Sequence, residues 1–441
     1  MNARLDWISQ AGGPLRGVLR VPGDKSISHR ALMLAALAQG QSRVSGFLEG
    51  EDTRATACIL QQLGVRIAAP NAGERVIEGV GLHGLRPSAQ PLDCGNAGTG
   101  MRLLAGLLAG QGFDSTLIGD ASLSQRPMRR VIEPLTTLGA RIDSSDGRPP
   151  LRIHGNTGLH GHAITTAIAS AQIKSAILLA GLYAGGVTRV DEPQPTRDYT
   201  ERMLQAFGWP IEFGPGWASL PGRQSLRACD VRVPGDFSSA AFFIVAATLV
   251  PGSELLVQEV GLNPRRIGLI EVLRAMGADI RIEAPRQQDG EPIADLRVRH
   301  ADLRGIEVPL AHVADMIDEF PILFVAAACA AGVTRVHGAA ELRVKESDRI
   351  AVMANGLRAL GIDAQETPDG ALIRGGGLRG GVVDSRGDHR CAMSFAVAGL
   401  RADSAVRISD CANVATSFPG FEALARGVGF DLEQVSQAQP A

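Results

Sequence analysis

Two phrases of hydrophobic and polar residues recur along the chain. The first is an amphipathic run closed by an apolar residue and a glycine, then a short strand. It reads ACILQQLGVRI, EPLTTLGARI, ERMLQAFGWPI, EVLRAMGADI, NGLRALGIDA and EALARGVGFDL. The closing glycines are Gly64, Gly139, Gly208, Gly277, Gly361 and Gly429. A glycine there supplies the left-handed residue that ends a helix. The second phrase is a small polar cluster, an Ala/Leu-rich run, a glycine and a strand. Its six copies open at Lys25, Asn96, Ser170, Asp236, Asp318 and Asp388. The closing strand repeats almost verbatim as GVTRV at Gly186–Val190 and Gly332–Val336. Runs such as ALMLAALA are apolar almost all round, which predicts a helix buried on every side. The two phrases alternate, so one unit of roughly seventy residues holds two helices, each followed by β structure, in six copies. That period is too long for a common solenoid and suits a small α/β subdomain repeated three times per domain.

The string VPGD occurs at Val21–Asp24 and Val233–Asp236 and divides the six copies into halves. This predicts one domain of residues 1–22 plus 235–441, and a second of residues 23–234. Both junctions carry Pro-Gly, which suits a two-stranded hinge. Hydrophobic residues make up 45% of the 441 and aromatics only 4%, so the cores must be built from Ala, Leu, Val and Ile. The net charge of −2, from 44 basic and 46 acidic residues, gives no bulk attraction to nucleic acid or membrane. Cys58, Cys94, Cys229, Cys329, Cys391 and Cys411 form no CxxC pair, so they are expected to be buried free thiols in a reducing compartment. The N-terminal MNARLDWISQ has no apolar signal core. Apolar runs such as Ala240–Pro251 are too short to span a bilayer. The expectation is a cytoplasmic monomer.

The polar openings change the picture. The start of a buried helix projects unpaired N–H groups and a partial positive charge, a ready site for phosphate or carboxylate. Ser, Thr, Asp or Asn would suffice for capping. Lysine and arginine at a helix start are opposed by the dipole, and an anionic ligand would explain them. GDKSISHR brings Lys25, Ser26 and Arg30; GNAGTGMR brings Asn96, Thr99 and Arg102; IASAQIK brings Ser170 and Gln172. MIDE brings Asp318 and GDHR brings Asp388 and Arg390. At the starts of two amphipathic helices, SLSQRPM adds Arg126, and ELRVKESDR adds Lys345, Glu346 and Arg349.

With PGDKSISHR, GNAGTGMR, SLSQRPM, ASAQIKSA, RVKESDR, GDHRCAMSF and ATSFP in order, the chain resembles the EPSP synthase family from end to end. MIDEFPIL, SLSQRPM and ATSFP are closest to its divergent class II subgroup. The resemblance implies an α/β fold of two similar domains that close on the substrates. Each would hold three βαβαββ repeats with buried helices, an inside-out α/β barrel. It implies transfer of the enolpyruvyl group of phosphoenolpyruvate to the 5-hydroxyl of shikimate 3-phosphate by addition and elimination, in chorismate biosynthesis. No metal or organic cofactor is implied, nor any nucleic-acid or membrane partner.

Carried over by motif, Asp318 takes the hydroxyl proton, and Lys25 and Glu346 handle proton transfer at the phosphoenolpyruvate carbon. Lys25, Asn96, Gly98, Arg126, Gln172, Arg349 and Arg390 hold phosphoenolpyruvate, mainly on the 1–22 plus 235–441 side. Ser26, Arg30, Ser170, Gln172, Arg197, Asp318 and Lys345 hold shikimate 3-phosphate, mainly on the 23–234 side. The sequence departs from better-known members at Thr416, where a lysine is expected. It departs also at Thr196, where a tyrosine is expected, and at His29 and Leu103. Gly98, which is Ala in some tolerant class II members, implies sensitivity to the phosphoenolpyruvate mimic glyphosate. The alternatives are a UDP-N-acetylglucosamine enolpyruvyl transferase, which would carry Lys-Asn at Lys25-Ser26 and a reactive loop cysteine, and an inactive anion-binding relative. Two decoys are set aside: the GxGxxG of Gly79–Gly84 precedes no helical pattern, and His160-x-His162 reads as a surface loop.

Overall fold

In the computed structural model, which describes residues 5–436, the chain forms two compact units. The mid-chain unit comprises Gly23–Val233 with Gln288–Glu291, and the terminal unit Met1–Pro22, Pro234–Gln287 and Pro292–Ala441. Residues 1–4 and 437–441 of the sequence-based boundaries lie outside the described residues.

In the mid-chain unit, Lys25–Leu37, Gly98–Ala109 and Ala171–Gly181 form helices whose residues are almost all buried. Gly106 lets two of them approach: a Cβ there would lie 2.1 Å from the Ala176 carbonyl oxygen. Three mixed sheets accompany them. One joins Ala38–Ser45 and Glu74–Val80 with their neighbours, one is built on Ser115–Ile118 and Arg148–Ile153, and one on Val187–Asp191 and Trp217–Pro221. Each combines parallel and antiparallel pairings. Arg148–Ile153 alternates exposed and buried along its length, as a strand with one packed face should.

The terminal unit repeats the scheme. Its enclosed helices are Phe237–Leu249, all thirteen residues buried, Phe320–Cys329 and His389–Gly399. Its sheets centre on Leu5–Gln10 with Val406–Ser409, on Glu254–Gly261, and on Gly370–Arg374. Trp7 stacks on Phe421 at 5.5 Å between ring centroids, and Phe421 meets Phe418 at 5.3 Å, so the few aromatics are concentrated where the N-terminal strand joins this core. Each fully buried phenylalanine contributes about 1.5–3 kcal/mol of transfer free energy.

All six recurring glycines take positive φ, from 81° at Gly208 to 108° at Gly277. Asp24, Asp236 and Asp388 accept backbone N–H bonds at the starts of their helices, while the helices after Ala97, Ser170 and Glu319 have no side-chain cap. The cysteines are all free, but Cys58 is exposed and Cys229 and Cys329 are half-buried. The expectation of uniformly buried thiols is therefore corrected, since Cys58 lies on the outer face of the amphipathic Glu51–Gln62 helix. No helix follows Gly79–Gly84, and His160 and His162 are exposed. Among the described residues, no helix is long and apolar enough to cross a membrane.

Candidate active site

In the mid-chain unit the helix starts gather cations. Lys25 opens its helix and its Nζ lies 2.7 Å from Asp52 Oδ2, at the start of Glu51–Gln62. One turn on, Arg30 is buried. Its Nε donates to Thr200 Oγ1 at 2.7 Å, one Nη to Ser175 Oγ at 2.7 Å, and the other to the Ser26 carbonyl at 2.9 Å. Burial lowers the Arg30 pKa and the Arg197 charge lowers it further, to about 10, so it remains a cation at neutral pH. His29, beside it, is driven well below its ordinary pKa by burial and then by Lys25 and Arg30, so it is neutral, with Nδ1 2.8 Å from Thr56 Oγ1.

The second helix start carries a chain of polar contacts. Arg102 donates to Gln172 Oε1 at 2.7 Å, and Gln172 Nε2 donates to Thr99 Oγ1 at 2.8 Å. Arg126 donates to Asn96 Oδ1, and Asn96 Nδ2 donates to Asp120 at 2.7 Å. Gly98 is what leaves room for these guanidiniums. A Cβ there would lie 2.8 Å from Arg126 Nη1 and 3.2 Å from Arg102 Nη1. Ser170 immediately precedes the third helix and is half-buried, as is Arg197.

In the terminal unit the centre is Asp318. Three cations face its carboxylate: Arg266 at 3.2 Å, Lys345 at 3.5 Å and Arg349 at 3.6 Å. Arg390 donates to the Asp318 carbonyl at 3.1 Å. Arg349 also pairs with Glu346 and, at 2.9 Å, with Asp388. Burial pushes the Lys345 pKa down and Asp318 holds it partly up. Burial works against the Asp388 charge, but Arg349 prevails and holds its carboxyl below the usual range.

A family model described as EPSP synthase (3-phosphoshikimate 1-carboxyvinyltransferase) matches residues 9–424. The chain belongs to the EPSP synthase family. It is 64% identical over 432 residues to the 3-phosphoshikimate 1-carboxyvinyltransferase of Xanthomonas campestris pv. campestris (strain B100), spanning 98% of this chain and 99% of that one. It is 64% identical to the protein of the same name from Xanthomonas oryzae pv. oryzae (strain PXO99A), with 97% of each chain covered. A solved EPSP synthase structure from Acinetobacter baumannii superimposes with a TM-score of 0.88 at 48% identity, over 98% of this chain and all of that one.

Within this EPSP synthase family member, the mid-chain unit holds Lys25, Ser26, Arg30, Asn96, Gly98, Arg126, Ser170, Gln172 and Arg197, and the terminal unit Asp318, Lys345, Glu346, Arg349 and Arg390. Sequence reasoning missed Arg266, which is buried and contacts Asp318, Glu319 and Ser238. The signal was present: RRIG leads into the amphipathic helix Gly268–Met276 as QRPM leads into Arg129–Thr137 and PTRD into Tyr199–Ala206. Asp52, the partner of Lys25, was missed in the same way, at the same point of the repeat. Thr416, where the family pattern expects a cation, is buried and donates to the Asn413 carbonyl at 2.7 Å. Thr196 donates its hydroxyl to Glu192.

The Gly98 geometry gives a prediction. The atoms a new methyl would strike are the far end of a flexible arginine, so Gly98→Ala should fold normally while displacing the Arg126 guanidinium. We expect the KM for phosphoenolpyruvate to rise about tenfold, which is ~1.4 kcal/mol, with the melting temperature nearly unchanged. Steady-state kinetics beside a thermal melt checks this, and an unchanged KM would show that Arg126 does not contact the donor.

Proposed function

We propose that this enzyme transfers the enolpyruvyl group of phosphoenolpyruvate to the 5-hydroxyl of shikimate 3-phosphate, releasing phosphate and serving chorismate biosynthesis. Family membership over nearly the whole chain is the observation that carries the reading. Each unit would be an inside-out barrel of three βαβαββ repeats, in keeping with its three enclosed helices and three sheets. The mid-chain unit, residues 23–234 in the sequence-based division, would mainly hold shikimate 3-phosphate. The terminal unit would bring Arg349 and Arg390 to phosphoenolpyruvate.

The residues then take these parts. Asp318 accepts the proton of the 5-hydroxyl as its oxygen attacks C2 of phosphoenolpyruvate. Lys345, 3.5 Å from Asp318, approaches the reacting hydroxyl. Lys25 and Glu346 deliver a proton to C3 and remove one again as phosphate leaves the tetrahedral intermediate. Arg126, Arg349 and Arg390, with Lys25, Asn96, Gly98 and Gln172, receive the carboxylate and phosphate of the donor. Arginine suits both groups because its planar fork binds two oxygens at once. Ser26 and Arg30 receive the carboxylate side of the acceptor, and Ser170, Gln172 and Arg197 its phosphate. The reaction asks for no metal, organic cofactor, nucleic acid or membrane, and we place it in a cytoplasmic monomer.

Phosphate release measured with phosphoenolpyruvate and shikimate 3-phosphate tests the reading. Turnover is expected with that pair and not with a UDP-N-acetylglucosamine acceptor, and the opposite pattern overturns the proposal. Glyphosate is expected to inhibit competitively with phosphoenolpyruvate, because Gly98 leaves the Arg126 guanidinium in place.

A further inference from the structure

The Ala171–Gly181 helix carries, one turn past its start, a lysine that none of these roles uses. Lys174 Nζ lies 2.8 Å from Glu192 Oε2 and 2.8 Å from Glu201 Oε1. The three side chains are only 4%, 0% and 1% exposed. Burying charges is costly, and a pure packing role would be met at least as well by apolar side chains. One lysine against two carboxylates also leaves a negative charge over.

The two glutamates bracket a particular piece of chain. Glu192 directly follows the strand Val187–Asp191 and Glu201 lies in the first turn of the helix Tyr199–Ala206. Between them residues 193–198 have no regular structure to hold them. Three contacts do. The Thr196 hydroxyl donates to Glu192, its backbone N–H donates to Glu192 at 3.4 Å, and its carbonyl accepts from Lys174 Nζ at 3.5 Å. The next residue is Arg197, and the charge of Arg197 is felt by Arg30, which Glu201 supports. The surplus negative charge therefore sits where two guanidiniums repel each other.

We infer that Lys174 is a positioning residue: through Glu192, Glu201 and the Thr196 carbonyl it fixes the segment that presents Arg197, and so sets affinity for the phosphorylated acceptor and not for phosphoenolpyruvate. The inference rests on the function proposed above. Without Lys174, the two carboxylates face each other unneutralised, and both their repulsion and the added negative charge act against an anionic substrate.

The test is steady-state kinetics of the full chain with both substrates varied. Lys174→Met is expected to raise the KM for shikimate 3-phosphate about 10–100-fold, the scale of an ångström-sized misplacement. The KM for phosphoenolpyruvate and kcat should stay within about threefold. A second variant guards against misfolding. Lys174→Met with Glu201→Gln keeps the net charge of the cluster at the wild-type value while removing the bridge. It should melt near the wild type and still show the raised acceptor KM. Wild-type acceptor KM in this folded double variant, equal rises in both KM values, or a double variant that does not fold would each overturn the role of Lys174. Absence of turnover by the wild type would instead overturn the proposed function, and this inference with it.

Discussion

Asp318→Asn is expected to lower kcat by about 10²–10⁴-fold, the usual worth of a positioned general base. The substitution keeps the shape of the side chain and an oxygen that can accept from Arg266, now 3.2 Å away. It removes the property that the proposed mechanism asks of Asp318 as a base, the capacity to take a proton from the attacking hydroxyl. The neighbours sharpen the expectation. Lys345 and Arg349 face the same carboxylate at 3.5 and 3.6 Å, and Asp318 is the largest influence holding up the pKa of Lys345 against burial. The variant thus also loosens Lys345, which would approach the same hydroxyl. The KM values should move far less than kcat, since the cations proposed to receive the substrates remain. Phosphate-release kinetics with a parallel thermal melt reads this out. A kcat within tenfold of the wild type, in a protein that melts normally, would remove Asp318 from the chemistry.

The parts of this molecule that recur were legible in the sequence, and the parts that depend on pairing were not. The six glycines announce helix ends because a left-handed residue fits there, and a positive φ is found at each. Phe237–Leu249 reads as buried on all sides because it has no polar face, and it is. Lysine and arginine at helix starts stand out because the dipole opposes them. What a cation is paired with is a different question. Nothing near Lys25 in sequence identifies Asp52, 27 residues on, and nothing near Arg349 identifies Asp388, 39 residues on. Arg266 was overlooked for a related reason. It lies just before an amphipathic helix, at the point of the repeat occupied by Arg126 and Arg197, but its motif NPRRIG was not among those that carried the family resemblance. Asp388 was read as part of a polar opening. It is both the cap of its helix, accepting from the N–H of Arg390, and the counter-charge of Arg349. One carboxylate does both because the start of its own helix and a guanidinium from 39 residues earlier in the chain converge on it.

Arg349→Ala is expected to destabilise the terminal unit by about 3–5 kcal/mol, the cost of stripping a buried charge cluster of one partner. The Arg349 side chain is 1% exposed, and Asp388 beside it is 0% exposed. Glu346 and Asp318 flank it as well. These carboxylates hold the guanidinium pKa above its ordinary value in spite of burial. For a unit of this size that cost corresponds to a melting temperature roughly 6–20 °C lower. The loss should depend on pH in a definite sense. In the wild type, burial opposes the Asp388 charge, Arg349 outweighs it, and the folded pKa lies below the ordinary 3.8. Its contribution to stability is therefore present above the unfolded pKa and lost as pH falls through the depressed folded value. Without Arg349 the burial effect is left to dominate and the folded pKa rises. The variant then carries its largest penalty at neutral pH, and recovers part of it on acidification, as Asp388 takes up a proton in the folded state. The gap in melting temperature between wild type and Arg349→Ala should accordingly be wide at pH 7.5 and narrower near pH 4.5. A gap that is constant across that range would mean that Asp388 does not depend on Arg349 for its charge. Arg126, which donates to Asn96 and Ser122, is proposed to meet the donor directly, so Arg126→Ala should raise the phosphoenolpyruvate KM strongly.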